Sequence, residues 1–162
     1  IILKLCFKTI NQKIYWVFIG DGRFKNKLSK TIQANPKLKI KLINSVKVDL
    51  IKSYIHASDF TLLSLSSKGI FNKTVPAKLQ TYMCLSKPVI GIVSGEAKEI
   101  ILNANCGIII NQSKIDESAE KIIELVNFEK SKIKCLGENG RSYYYKYFNS
   151  KFRKNQLKKI IA

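Results

Sequence analysis

The sequence predicts an α/β domain built on a doubly wound parallel sheet with helices on both faces. Short, nearly unbroken apolar runs, rich in β-branched and aromatic residues, alternate with stretches of helical period. The helical stretches run to about ten residues each, the length a parallel βαβ crossover needs. With 162 residues, 46% of them hydrophobic, the chain is long enough for one such domain and its buried core.

Ile1 to Ile10 carries Ile2, Leu5, Cys6 and Thr9 at helical spacing. Ile14 to Ile19 is wholly apolar and stops at Gly20-Asp21-Gly22, the pattern of a buried parallel strand meeting a tight turn. Phe24, Leu28 and Ile32 then mark a one-sided helix from Phe24 to Ala34, ended by Pro36. Leu38 to Ile43 alternates as a strand, and Leu50, Ile51, Tyr54 and Ile55 define a helix from Val48 to Ala57. Phe60 to Leu63 is a third strand, followed by a polar loop from Ser64 to Thr74. Pro76 opens a helix from Ala77 to Leu85. Pro88 to Ile92 is a fourth strand, Ala97 to Ala104 a helix and Gly107 to Ile110 a fifth strand.

From Ser113 onward only helical patterns remain. Ile115, Ala119, Ile122, Ile123 and Val126 mark one helix, capped by Asp116 or Ser113. Lys132 to Tyr147 forms a second and Phe152 to Ile161 a third. Tyr143, Tyr144, Tyr145, Tyr147 and Phe148 cannot share one helix face, which favours packing over a stacking platform.

Charge is the unusual feature. The net +18 lies well outside the roughly 2–8 usual for a small domain. The apolar content excludes a disordered polycation, and no apolar run approaches the ~20 residues of a membrane-spanning helix. Lysines are spread along the chain, with local enrichment at Lys25, Lys27 and Lys30 and at Lys130, Lys132 and Lys134. Solvated faces account for most of them, and an anionic membrane surface is a candidate partner for the rest. No recognised nucleic-acid motif accompanies the charge, so no specific nucleic acid is expected.

The four cysteines, Cys6, Cys84, Cys106 and Cys135, form no Cys-x-x-Cys pair, and His56 is the only histidine. That pattern fits neither a zinc site nor a disulfide framework, and it suits buried thiols in a reducing cytosol. The N-terminus has no signal pattern and begins with Ile1, as in a chain cut from a longer one. A cytoplasmic location follows as the expectation, with peripheral attachment to the inner membrane face as its extension.

Ligands of open α/β sheets bind outside the carboxyl ends of the strands. Gly20-Asp21-Gly22 permits positive φ and close approach of a ligand, although its glycine spacing is not a dinucleotide fingerprint. Thr74-Val75-Pro76-Ala77-Lys78 places backbone N–H groups and a lysine at a helix N-terminus, which suits an anion such as a diphosphate or an ordinary proline-started helix. Ser94-Gly95-Glu96 feeds a helix in the same way, as an anion locus or a simple cap. His56 lies on a helix before a strand and is read as structural.

An ordered series of segments runs along the chain: Val17-Phe18-Ile19-Gly20-Asp21-Gly22, Tyr54-Ile55-His56-Ala57-Ser58-Asp59 before a strand ending in Ser64-Leu65-Ser66, and Lys87-Pro88-Val89-Ile90-Gly91. It continues with Gly95-Glu96-Ala97-Lys98-Glu99-Ile100-Ile101, Asn105-Cys106-Gly107-Ile108-Ile109-Ile110 and Gly137-Glu138-Asn139-Gly140-Arg141. In this order the segments resemble the nucleotide-sugar-binding C-terminal half of retaining GT-B glycosyltransferases. The chain is most similar to the glycosyltransferase family 4 branch (glycosyl transferases group 1) that makes capsules, O-antigens and other surface polysaccharides. The resemblance implies one Rossmann-like half of a GT-B fold over residues 1–162. It also implies that the first strand and the N-terminal acceptor-binding domain lie outside the chain, and that terminal helices over 141–162 cross toward that domain.

Transfer of a sugar from a UDP-, GDP- or similar nucleotide sugar to a polysaccharide or lipid-linked acceptor, without a metal or other cofactor, is what the resemblance implies for the intact enzyme. The fragment alone would be inactive and carries no catalytic residue. The implied donor-binding residues are Gly20, Asp21 and Gly22 near the base, Lys78 and Thr81 at a helix start, and Gly95 and Glu96 at the diphosphate and sugar. The family usually carries two glutamates where Lys73 and Thr81 stand here. Thr81 can still hydrogen-bond a ribose, whereas the Lys73 ammonium can only donate. Val75-Pro76-Ala77-Lys78 resembles the Val-Pro-Ser/Ala-Lys helix start of one branch. A degenerate, non-catalytic donor-like domain serving as an interaction or membrane-surface module is the competing reading.

Overall fold

The computed structural model describes residues 1–65 and 73–149. The helix expected at Phe152 to Ile161 and most of the Ser64 to Thr74 loop lie outside those residues. The chain divides into two compact units, Ile1–Ile51 with Asn111–Phe128, and Lys52–Ile110 with Glu129 onward. The α/β class is as predicted, with all strand pairs parallel. Among the described residues the strands form two ladders, one of two and one of three strands, where the periodicity suggested one sheet. Apolar pattern fixes which segments become strands but says nothing of which edges pair, so the division is invisible to it.

In the first unit, α1 (Ile2–Lys8) buries Leu5 and Cys6 and is followed by buried Thr9. The Thr9 hydroxyl donates to the Leu5 carbonyl at 2.9 Å and accepts from the Trp16 indole N–H at 3.2 Å, which ties the helix to the next strand. That strand, β1 (Trp16–Ile19), runs parallel to β2 (Ile40–Ile43), with Trp16 opposite Ile40 and Ile19 opposite Ile43. The crossover between them is α2 (Lys25–Gln33). A later helix, α6 (Ile115–Glu124), continues into a 3-10 turn, Leu125–Asn127, packs on α1 and buries Ser118, Ala119 and Ile122.

Neither Asp116 nor Ser113 caps α6. Its N-cap is Lys114, with no side-chain capping bond. Asn111 and Ser118 do the corresponding work instead: Ser118 Oγ donates to the Asn111 carbonyl at 2.8 Å and accepts from the Asn111 N–H at 3.1 Å. Asn111 Oδ1 accepts from the Ser113 N–H, an Asx turn that takes the chain into the helix by another route than a cap.

Helix α3 (Val48–Ala57) occupies the span predicted for it but buries no residue fully. The second unit holds β3 (Thr61–Ser64), β4 (Val89–Ile92) and β5 (Gly107–Ile109) in that spatial order. All four residues of β4 are buried, as expected for the central strand of a parallel sheet. Around it, Leu63, Leu79, Met83, Val89, Ile100, Ile101 and Cys106 form the core with α4 (Ala77–Cys84) and α5 (Glu96–Asn103). The long helix α7 (Lys130–Tyr147) packs on α4 and runs without a break through Arg141.

The α4–β4 and α5–β5 junctions are Schellman turns. After α4, Lys87 N–H bonds Tyr82 O and Ser86 N–H bonds Met83 O; after α5, Cys106 N–H bonds Ile101 O and Asn105 N–H bonds Leu102 O. The residues that must turn left-handed are Ser86, at φ 54°, and Asn105, at φ 45°. Tyr143, Tyr144 and Phe148 pack against the core, whereas Tyr145 is exposed and Tyr147, one turn beyond Tyr143 with ring centroids 4.4 Å apart, is exposed at the end of the helix.

Candidate functional site

Two parallel strands of the second unit deliver helices to one edge of their sheet. β3 leads into α4 and the adjacent β4 leads into α5, so both helices begin at the carboxyl ends of paired strands. Helix N-termini present unpaired N–H groups and a partial positive charge. At α4 the N-cap is Pro76 and Ala77 is the first helical residue, one place later than a proline at the first helical position. Lys78 follows, exposed, and adds a full positive charge.

Thr81, exposed one turn further along the same face, donates its hydroxyl to the Ala77 carbonyl at 3.0 Å. With its hydrogen so used, Thr81 Oγ1 keeps only acceptor capacity toward a ligand. Lys73, the other position where the resemblance implies a carboxylate, is exposed ahead of the helix. At α5 the N-cap is Gly95, with φ 61° and ψ −141°, a conformation essentially confined to glycine. Glu96 and Glu99 follow in the first turn, and Glu96 is exposed. Tyr143 of α7 lies near enough for the Glu96 charge to act on it: desolvation first, then Tyr147 and Glu96, raise the phenol's pKa.

In the first unit, Gly20-Asp21-Gly22 follows β1 directly. Gly20 adopts φ 135° and donates to the Ile43 carbonyl at 3.0 Å, so the strand pairing extends into the turn. Asp21 is solvent-exposed yet fully engaged: one carboxylate oxygen accepts from Lys25 Nζ and the other from the Ser45 N–H at 2.7 Å. Lys25 Nζ also donates to Asn44 Oδ1 at 2.7 Å. The Lys25 bond first, then the Ser45 N–H, lower the Asp21 pKa. Pattern reading singled out the turn but missed Asn44, Ser45 and the role of Lys25. The only signal for them was that Ile19 and Ile43 end neighbouring strands, which the sequence alone does not reveal.

The structure thus places Gly20, Asp21 and Gly22 together in the first unit, and Lys78, Thr81, Gly95 and Glu96 on one sheet edge of the second. His56 contributes its backbone: its carbonyl and that of Ser58 each accept from Lys87 Nζ at 2.8 Å. Two surface depressions, one lined by Lys27, Lys30 and Asn35 and the other by Ser86, Lys134, Arg141 and Tyr145, include none of the predicted residues. Among the described residues no cluster of three or more His, Cys, Asp or Glu could hold a metal ion, and no helix is long and apolar enough to cross a membrane.

Comparison with known proteins gives these elements a family. An uncharacterized glycosyltransferase of Methanocaldococcus jannaschii, MJ1178, is 30% identical over 129 residues, covering 80% of this chain and 35% of the relative. The chain therefore spans about a third of that relative's length. Among solved structures, Anabaena Alr3699/HepE in complex with UDP superposes with a TM-score of 0.77 at 16% identity, over 98% of this chain and 44% of that one. Sucrose-phosphate synthase from Thermosynechococcus elongatus gives 0.75 at 14% identity, over 98% and 41%. At such identities the two structures establish the fold, one half of a GT-B glycosyltransferase. The profile described as Glycosyl transferases group 1 matches residues 2–143, and the chain belongs to that family.

Proposed function

We propose that this chain is the nucleotide-sugar-binding part of a retaining glycosyltransferase of the family 4 type. The observation that carries the reading is the pair of helix N-termini at the carboxyl ends of β3 and β4, with Lys78 beside one of them. A sugar nucleotide's leaving group is a diphosphate, and N–H groups, helix dipoles and an ammonium stabilise the charge that develops on it. No metal is required for that task. Support also comes from Alr3699/HepE, whose structures hold UDP or UDP-glucose.

In this reading Lys78 and the first N–H groups of α4 and α5 take the diphosphate. Gly95 leaves space there for backbone approach, and Glu96 accepts from sugar hydroxyls. Thr81 accepts from a ribose hydroxyl, the only role its engaged proton leaves open. In the first unit, Gly20, Asp21 and Gly22 serve the nucleoside. The acceptor is a polysaccharide or a lipid-linked sugar of the kind used for capsules and O-antigens, reached at the cytoplasmic membrane face, and the surplus of lysine assists that approach.

The alternative, a donor-like module without turnover, draws on Lys73 and Thr81, which stand where the family usually has glutamates. Sugar-transfer assays of the full-length protein separate the two. Lys78→Ala and Glu96→Ala should each lower kcat/KM by about tenfold or more if these side chains stabilise charge and position the sugar. A wild-type protein with no turnover on any nucleotide sugar supports the module instead.

A further inference from the structure

The Gly20-Asp21-Gly22 turn does not present a free carboxylate. Lys25 Nζ and the Ser45 N–H each bond one of the exposed Asp21 oxygens, and Lys25 reaches on to Asn44. Four residues are thereby joined: Asp21 from the β1–α2 turn, Lys25 from the first turn of α2, and Asn44 and Ser45 from the segment after β2. These are the carboxyl ends of paired strands, since Ile19 lies opposite Ile43 and Gly20 N–H bonds Ile43 O. Two loops free to move at such an edge would have to be ordered by each ligand that binds; joined in advance, they are not.

The charges matter as much as the bonds. Lys25 pairs with Asp21, and beside the pair Phe24, 70% exposed, carries the Arg23 guanidinium over its ring. A planar nucleobase suits such an aromatic and guanidinium surface, on which it can stack.

We infer that Asp21 is a positioning residue for the nucleoside: it acts through Ser45 and Lys25, latching the β2–α3 loop to the β1–α2 turn, and does not itself touch the ligand. This rests on the reading that the chain binds a nucleoside diphosphate, and it adds Lys25, Asn44 and Ser45 to the residues on which recognition depends.

Calorimetric titration of the full-length protein with UDP, GDP and inorganic pyrophosphate tests it. The quantity to compare is the ratio of nucleoside diphosphate affinity to pyrophosphate affinity. Asp21→Ala should lower that ratio by about tenfold, because the nucleoside is lost to a loosened loop while pyrophosphate is not. Asp21→Asn keeps an oxygen for the Ser45 N–H and loses only the ion pair, so it should lower the ratio by about threefold. An unchanged ratio in both variants overturns the inference, as does an equal loss of nucleoside diphosphate and pyrophosphate, which would mean general damage. Should Asp21→Ala fail to fold, the Asp21→Asn ratio decides. Wild-type protein that binds neither UDP nor GDP refutes the underlying reading instead, a result distinct from any change between variants.

Discussion

Gly137 of α7 packs directly on Ser86: a Cβ built at Gly137 would lie 2.0 Å from the Ser86 carbonyl oxygen. The Gly-Glu-Asn-Gly-Arg segment is therefore a packing device. Gly137 and Gly140 are both buried, and Asn139 Nδ2 donates to the Asn105 carbonyl at 3.1 Å, so α7 is seated on the turns that end α4 and α5. Gly137→Ala forces backbone against backbone and should cost about 3 kcal/mol, read as a lower urea midpoint at unchanged slope. Gly140→Ala brings its Cβ to 3.0 Å from the Cys106 Cβ, with Met83 Cα and Cγ at an ordinary 3.6 Å, and should cost about 1 kcal/mol.

The Ser86 turn also offers a stabilising change. Ser86 holds φ at 54°, which a residue with a Cβ adopts at a cost. Ser86→Gly removes that cost and should raise stability by about 1 kcal/mol, seen as an upward shift in Tm. Asn105→Gly should give less, because asparagine tolerates the left-handed region better.

Lys87 terminates α3. Its ammonium bonds the carbonyls of His56 and Ser58, both at 2.8 Å, and meets the negative end of the helix. Lys87→Met keeps the aliphatic stem and removes the charge, so stability should fall by about 1 kcal/mol. Hydrogen exchange would localise the loss to the last turn of α3, residues 54–57; a uniform loss across the chain would argue against the cap.

The cysteines should differ sharply in reactivity. Burial pushes the Cys6 thiol from an ordinary 9.0 to about 12 and the Cys106 thiol to about 11, whereas Cys135 is exposed. Iodoacetamide at about pH 8 should label Cys135 first and leave Cys6 and Cys106 unmodified until the chain unfolds, as peptide mass mapping would record. The same groups set a pH dependence. Above pH 9 the unfolded thiols release protons that the folded ones retain, so this contribution is fully present below 9 and is lost as pH rises toward 11 and 12.

Most of the fold was legible because the apolar period is strong and the junctions are punctuated. Helix α3 has the predicted span, and α4, α5 and β2 to β5 fall within two residues of expectation. The cap of α6 was not: Asp116 and Ser113 lie beside the helix start, but the bonds run between Asn111 and Ser118, seven positions apart in sequence. The candidate site divides in the same way. Gly20 and Gly95 announce themselves as glycines at strand ends, and both have positive φ. The partners of Asp21 do not, since Ser45 enters through its backbone N–H, a group every residue but proline possesses.

Nucleoside diphosphate binding underlies every role proposed for these residues, and calorimetric titration of UDP and GDP into the folded, full-length protein measures it without requiring the acceptor or the sugar. One of the two should bind with a stoichiometry of about one and an affinity that Lys78→Ala weakens by about tenfold. No heat above background with either nucleotide, from protein whose fold is verified by circular dichroism, would mean that the chain does not bind a nucleotide donor.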